Sequence, residues 1–208
     1  MIEHDHGGHL PHGSGGRRLD LVIALGVVLI SLISLVVSIQ HGRTMEQLVE
    51  ANRKIVVAST LPFVEVGVQN YDPDARRPVA GLVVDNAGVG PALLDWLEIR
   101  FDGKPVATST ELLKACCAPL TPANVQGYIF STPSGRVLPA REKIRAYWFD
   151  PGTRAHNPVF EAFSRAQGRI TYRGCYCSVL EDCWISSFQG ERPRPVHSCK
   201  IKGVTAFH

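Results

Sequence analysis

Hydrophobic and polar positions follow two rhythms along this chain. From Leu21 to Ile39 the sequence LVIALGVVLISLISLVVSI runs for 19 residues without a charge. At about 1.5 Å per residue such a helix is roughly 28 Å long, enough to cross a hydrocarbon core of about 30 Å. A cleaved leader has a shorter apolar run, about 7–15 residues, that ends at small residues. Here Gln40-His41-Gly42-Arg43 follows instead. The pattern predicts an uncleaved transmembrane helix over 19–41, preceded by a flexible tail over 1–18.

The helical rhythm does not stop at the bilayer edge. Ser31, Ser34, Ser38, His41, Met45, Leu48, Asn52 and Ile55 are spaced 3-4-3-4-3-4-3, which extends one seam into a helical stalk over 42–59. Serines inside the membrane permit close helix approach. Beyond it, Met45, Leu48 and Ile55 are apolar seam positions, and Asn52 sits where a polar residue sets register. Self-association through this seam is one expectation. The other is a serine-rich lipid-facing side followed by a stalk packed on its own domain.

After residue 60 the period becomes two. Val64, Val66 and Val68 alternate with Glu65 and Gln69, and Val79–Asp85 and Leu93–Phe101 follow as further strands. Asp102-Gly103 marks a tight hairpin into Lys104-Pro105-Val106. Gly127–Ser131, Lys143–Phe149 and a segment through Ile170, Tyr172 and Tyr176 complete the strand set, separated by Gly- and Pro-rich punctuation. Two short helices interrupt them. Thr108 and Glu111 form a capping box ahead of Leu112 and Leu113, and Asn157-Pro158 opens a helix that Gly168 stops. The fold expected is mainly β: an antiparallel, sandwich-like domain with two short helices over 60–208, after the transmembrane helix and stalk.

Val83-Val84-Asp85-Asn86-Ala87-Gly88-Val89-Gly90-Pro91-Ala92 superficially suggests a dinucleotide-binding turn. The third glycine is missing, Pro91 removes an amide, and the residues after it alternate like a strand. A structural turn or bulge is the better reading, with Asn86, Gly88 and Gly90 permitting positive φ and Pro91 stiffening the exit. The Asn-x-Gly-x-Gly-Pro-Ala segment, behind a transmembrane helix and a first strand, resembles a pattern in uncharacterised bacterial single-pass membrane proteins. The likeness spans residues 20–105 and implies an envelope location and a β-rich domain, with no activity attached.

Six cysteines, Cys116, Cys117, Cys175, Cys177, Cys183 and Cys199, all follow the helix. An even count suits an oxidising compartment and predicts disulfides. Cys175 and Cys177 share one strand face, and Cys183 follows a turn that brings it near Cys177. The adjacent Cys116 and Cys117 are expected to reach different partners. Zinc prefers paired C-x₂₋₄-C ligands, which this spacing lacks; soft thiolates holding zinc or copper(I) remain the alternative.

Charge narrows the function classes. With 22 Lys+Arg against 19 Asp+Glu the net charge is +3, and no basic run offers a nucleic-acid surface. Arg17 and Arg18 before the span face Arg43, Arg53 and Lys54 after it, so the positive-inside rule does not choose an orientation. The short tail and the position of the cysteines favour a cytoplasmic N-terminus in a bacterial inner membrane, with a periplasmic domain. His4, His6, His9 and His12 are weak metal candidates in a Gly-rich tail; no cofactor or metal centre is expected. No phosphate loop, metalloprotease helix or nucleophile elbow occurs. Asp95 and Glu98 are expected on opposite strand faces, and His156 and His197 in surface loops. The expectation is a non-enzymatic envelope protein that contacts the bilayer, a protein partner of unknown identity and, through its helix, a second copy. A metal- or thiol-handling protein built on the cysteines is the alternative.

Overall fold

The computed structural model describes residues 16–152 and 156–208, so the four tail histidines fall outside the described residues. The chain divides into two compact units, one ending at Lys54 and the other spanning Ile55–His208.

The described residues of the first unit are helical. α1 (Gly16–Ser59) runs unbroken for 44 residues, with no proline to interrupt it. Its side chains are exposed along the apolar stretch: Leu21 is 63% exposed, Ile30 65% and Ile39 50%. A helix is the form that satisfies its own backbone where water is absent, and α1 is long and apolar enough to cross a membrane. Ser31 and Ser38 donate their hydroxyls to the carbonyls of Val27 and Ser34, both at 2.8 Å, so these polar groups are satisfied within the helix.

The second unit is mainly β with two short helices, as the alternation predicts. One sheet has the order β1 (Val64–Asp72), β2 (Arg77–Asn86), β7 (Lys143–Phe149), β5 (Tyr128–Phe130). The other runs β10 (Arg194–Val196), β9 (Cys183–Ser186), β8 (Ile170–Cys177), β3 (Ala92–Phe101), β4 (Lys104–Val106), with β6 (Arg136–Leu138) also on β3. All pairings are antiparallel. Leu82, Val84, Leu97, Ile99, Tyr147 and Phe149 from the two sheets meet in one fully buried core. α2 (Ser109–Cys117) and α3 (Pro158–Ala166) contribute Leu112, Val159 and Phe163 to it.

Local sequence sets the joints. Asp102 and Gly103 take φ of 47° and 76°, the left-handed pair that a two-residue hairpin needs. The Thr108 hydroxyl accepts from the Glu111 amide at 3.2 Å, while the Glu111 carboxylate accepts from the Ala107 amide at 2.8 Å. Asn157 Oδ1 accepts from the amides of Val159 and Phe160, both at 3.1 Å, ahead of Pro158.

Strict alternation fails in β3. Leu94 and Leu97 both enter the main core, because the register against β8 shifts between Leu94 and Trp96. This bulge inserts one extra residue and moves the parity of everything beyond it. Asp95, Trp96 and Glu98 consequently share the side facing away from the main core, which corrects the expectation that Asp95 and Glu98 lie on opposite faces. Asp95 there lies 3.6 Å from the Cys177 sulfur, and Trp96 packs among the cysteines.

Candidate functional site

On that side of β3 the structure assembles a second, smaller buried cluster: Trp96 with Cys175, Cys177, Cys183 and Cys199. The hairpin between β8 and β9 places Cys177 opposite Cys183, where they bond, as their spacing suggests. Cys175 bonds Cys199, which fastens the C-terminal segment to β8. Cys199 is also held through its carbonyl, which accepts from the Trp96 indole at 2.8 Å. The two bridges touch: Cys177 Sγ and Cys199 Sγ are 3.6 Å apart. Reaching from one strand to the next and from strand to tail, these bridges are staples.

Cys116 and Cys117 bond each other at the end of α2, which corrects the expectation of separate partners. The other four sulfurs already pair around Trp96, so the adjacent thiols have only one another. All six cysteines are thus oxidised.

Beside the sulfur cluster lies a buried ion cluster whose partners the sequence does not reveal. Glu98 is fully buried. Arg173 bonds both of its carboxylate oxygens, Arg100 Nε donates at 2.8 Å, and the Thr205 amide donates at 3.2 Å. Burial alone raises the carboxyl pKa, but the hydrogen bonds from Arg173, Arg100 and Thr205 outweigh it and bring it down to about 2. With the Phe207 amide on the Leu97 carbonyl at 2.7 Å, this cluster anchors the C-terminal segment across β3. The signal was present as a lone Glu in an apolar strand, but its arginine partner Arg173 is 75 residues away.

The glycine motif is a clamp. Asn86 is fully buried; its Oδ1 accepts from the amides of Phe63 at 3.2 Å and Gly88 at 3.1 Å, and its Nδ2 donates to the carbonyls of Gly90 at 2.8 Å and Leu138 at 3.0 Å. Gly88 and Gly90 do not adopt positive φ, contrary to the turn expected there. They are glycine because backbone passes against them. A Cβ on Gly88 would lie 2.4 Å from Phe63 N, and one on Gly90 2.0 Å from Thr60 O. The strand Pro91 leads into starts at Ala92. Nothing in this turn presents free amides to a phosphate: Ala87, Gly88, Val89 and Gly90 amides are all taken within the domain.

Along α1, Met45, Leu48 and Ile55 are 58%, 54% and 64% exposed. Seam positions Ser31, Ser34, Ser38 and Asn52 are exposed as well. One of several concave features among the described residues is a groove of about 550 Å³ along the open edge of β1, between that strand and the 186–193 loop.

Among protein families, a model described as a domain of unknown function, DUF8453, matches residues 21–192. The chain belongs to that family. The DUF8453 match takes in the apolar helix, the Asn86 clamp and both strands of the β8–β9 hairpin, while Cys199 lies beyond it. No curated protein and no solved structure matches the chain.

Proposed function

We propose that this protein is a non-enzymatic, single-pass envelope protein. Its helix anchors a disulfide-stapled β-domain outside the bacterial inner membrane, N-terminus in the cytoplasm, and the domain is presented to a protein partner. The observation that carries this is the combination of an apolar helix whose Leu, Val and Ile side chains are half or more exposed from Leu21 to Ile39 with a domain whose six cysteines are all bonded. Exposed apolar surface of that extent calls for lipid, and three bridges suit an oxidising compartment. Beyond the span, Met45, Leu48 and Ile55 call for a protein surface, and their heptad spacing fits a second copy. Photo-cross-linking from exposed β-domain positions, in intact membranes, tests the partner role. Discrete adducts are expected, and an absence of adducts at every such position would overturn it.

A second reading has one specific observation behind it. Cys177, Cys183 and Cys199 hold their sulfurs within 4.8 Å of one another, close enough to share a soft metal ion once reduced. Free or metal-bound thiols in the native protein would favour that reading over the structural one.

A further inference from the structure

β1 is an edge strand, with β2 on one side and, among the described residues, no strand on the other. Its register decides which backbone groups are free. Asn86 bonds toward β7, through its amide to Glu142 and its carbonyl from Arg141, and the Ala87 amide bonds the Phe63 carbonyl. With Val64 opposite Asn86, the antiparallel ladder therefore uses the groups of Glu65, Gly67 and Gln69 toward β2 and leaves those of Val64, Val66 and Val68 pointing outward. Val64 is engaged there by the Tyr176 hydroxyl. Val66 and Val68 have no such partner among the described residues.

The side chains tell the same story. Val64 is 2% exposed, Val66 is half-buried, and Val68 is 48% exposed, so the inner apolar row of β1 emerges from cover toward its C-terminal end. The groove follows this edge, with Phe63 and Phe188 among its walls. Five charged residues line it: Glu65, Asp85 and Glu191 against Lys143 and Arg192. Lys143 is committed to Asp85 at 3.0 Å and Glu191 faces Arg194 at 3.9 Å, which leaves Glu65 and Arg192 as the groove charges without an ion-pair partner among the described residues. Glu65 turns its backbone to β2, so an added strand would meet it at a non-hydrogen-bonded position, where facing side chains approach most closely.

We propose that the open edge of β1 docks an extended segment of a protein partner, which pairs with Val66 and Val68 as an added strand and sets a Lys or Arg opposite Glu65. Main-chain bonds supply the attachment, alternate apolar side chains cover Val66 and Val68, and Glu65 selects the charge. The inference rests on the presentation role proposed above and names its contact.

The probe is an eight-residue peptide alternating valine and lysine, added to the full chain in detergent micelles, with amide hydrogen exchange as the readout. Slowed exchange at Val66 and Val68 is expected, with a valine–glutamate peptide binding about two- to fivefold more weakly. Glu65→Lys should reverse that preference. Val66→Pro removes an outward amide that β2 does not use, and should weaken binding at least about tenfold while the domain stays folded. Val68→Lys is the companion variant if proline disturbs the strand. Unchanged exchange at both valines, or equal binding by Val66→Pro and Val68→Lys, would overturn the edge assignment. If β-domain cross-links still form in membranes, the presentation role survives that failure; if they are absent as well, both fall.

Discussion

α1 and the β-domain use the same residues to opposite ends. Leu, Val and Ile in α1 are half or more exposed from Leu21 to Ile39, whereas Leu82, Val84, Leu97 and Ile99 in the domain are completely buried. The helix satisfies its backbone internally and leaves its apolar surface for lipid or another helix. The domain closes its surface on itself, then fixes the result with specific polar and covalent joints. Apolar content alone does not distinguish the two; the period does, 3.6 against 2. The corollary is that local changes in the domain should cost stability, while changes on the helix should cost association.

The sharpest way to break that contrast is at the Asn86 clamp. Asn86→Ala orphans the Gly88 amide in a buried place and the Phe63 amide in a half-buried one, strips the buried Gly90 and Leu138 carbonyls of this donor, and is expected to cost about 3 kcal/mol. Gly90→Ala forces a Cβ onto the Thr60 carbonyl and should be at least as severe. Thermal melts of the β-domain signal, with α1 helicity followed separately, check both. A comparable loss of helicity would merge the two regions and contradict the division.

Next comes the bridge between Cys175 and Cys199. Replacing both with serine should lower stability by about 2–4 kcal/mol in denaturant titrations, since the bond closes the 24-residue separation to the C-terminal segment.

Glu98→Gln should cost less, about 1–3 kcal/mol, because Arg100 and Arg173 are over a third exposed and can turn to water. Its pH signature is more specific. The folded carboxyl titrates near 2, below its ordinary 4.5, so its stabilisation is complete above about pH 4.5 and disappears as the pH falls toward 2. The wild type should therefore lose stability more steeply than Glu98→Gln across that window. Parallel acid titrations would sink the charge assignment.

The smallest effect on stability is expected on α1. Leu48→Ala should leave the β-domain melt within about 0.5 kcal/mol. It should nonetheless reduce cross-linking between copies from positions 45 and 52. Undiminished cross-linking would remove the seam from the account.

Much of this architecture was legible in the sequence where the cue was local. The 19-residue apolar run, the Asp102-Gly103 hairpin, the Thr108 and Asn157 caps and the Cys177–Cys183 hairpin each depend on residues a few positions apart. What escaped depends on distant backbone or on counting faults. One inserted residue near Asp95 turned Glu98 to the same side as Asp95. The requirement for glycine at 88 and 90 comes from Thr60–Phe63, a segment more than 20 residues earlier, rather than from the turn's own φ. Cys116 and Cys117 bond because every other sulfur is already engaged around Trp96, a fact no spacing rule contains. The charge on the β1 edge was visible as Glu65, but its lack of an ion-pair partner among the described residues is visible only once β2 and the 186–193 loop are in place.

The central claim is that an oxidised domain stands outside the membrane on a helical anchor. Labelling spheroplasts with a membrane-impermeant maleimide, before and after reduction, and reading intact mass tests it directly. The account predicts no label before reductant and six labels after it, one for each cysteine. Label without reductant would mean free external thiols. Label that appears only after lysis would put the domain on the cytoplasmic side, and either result would contradict the account.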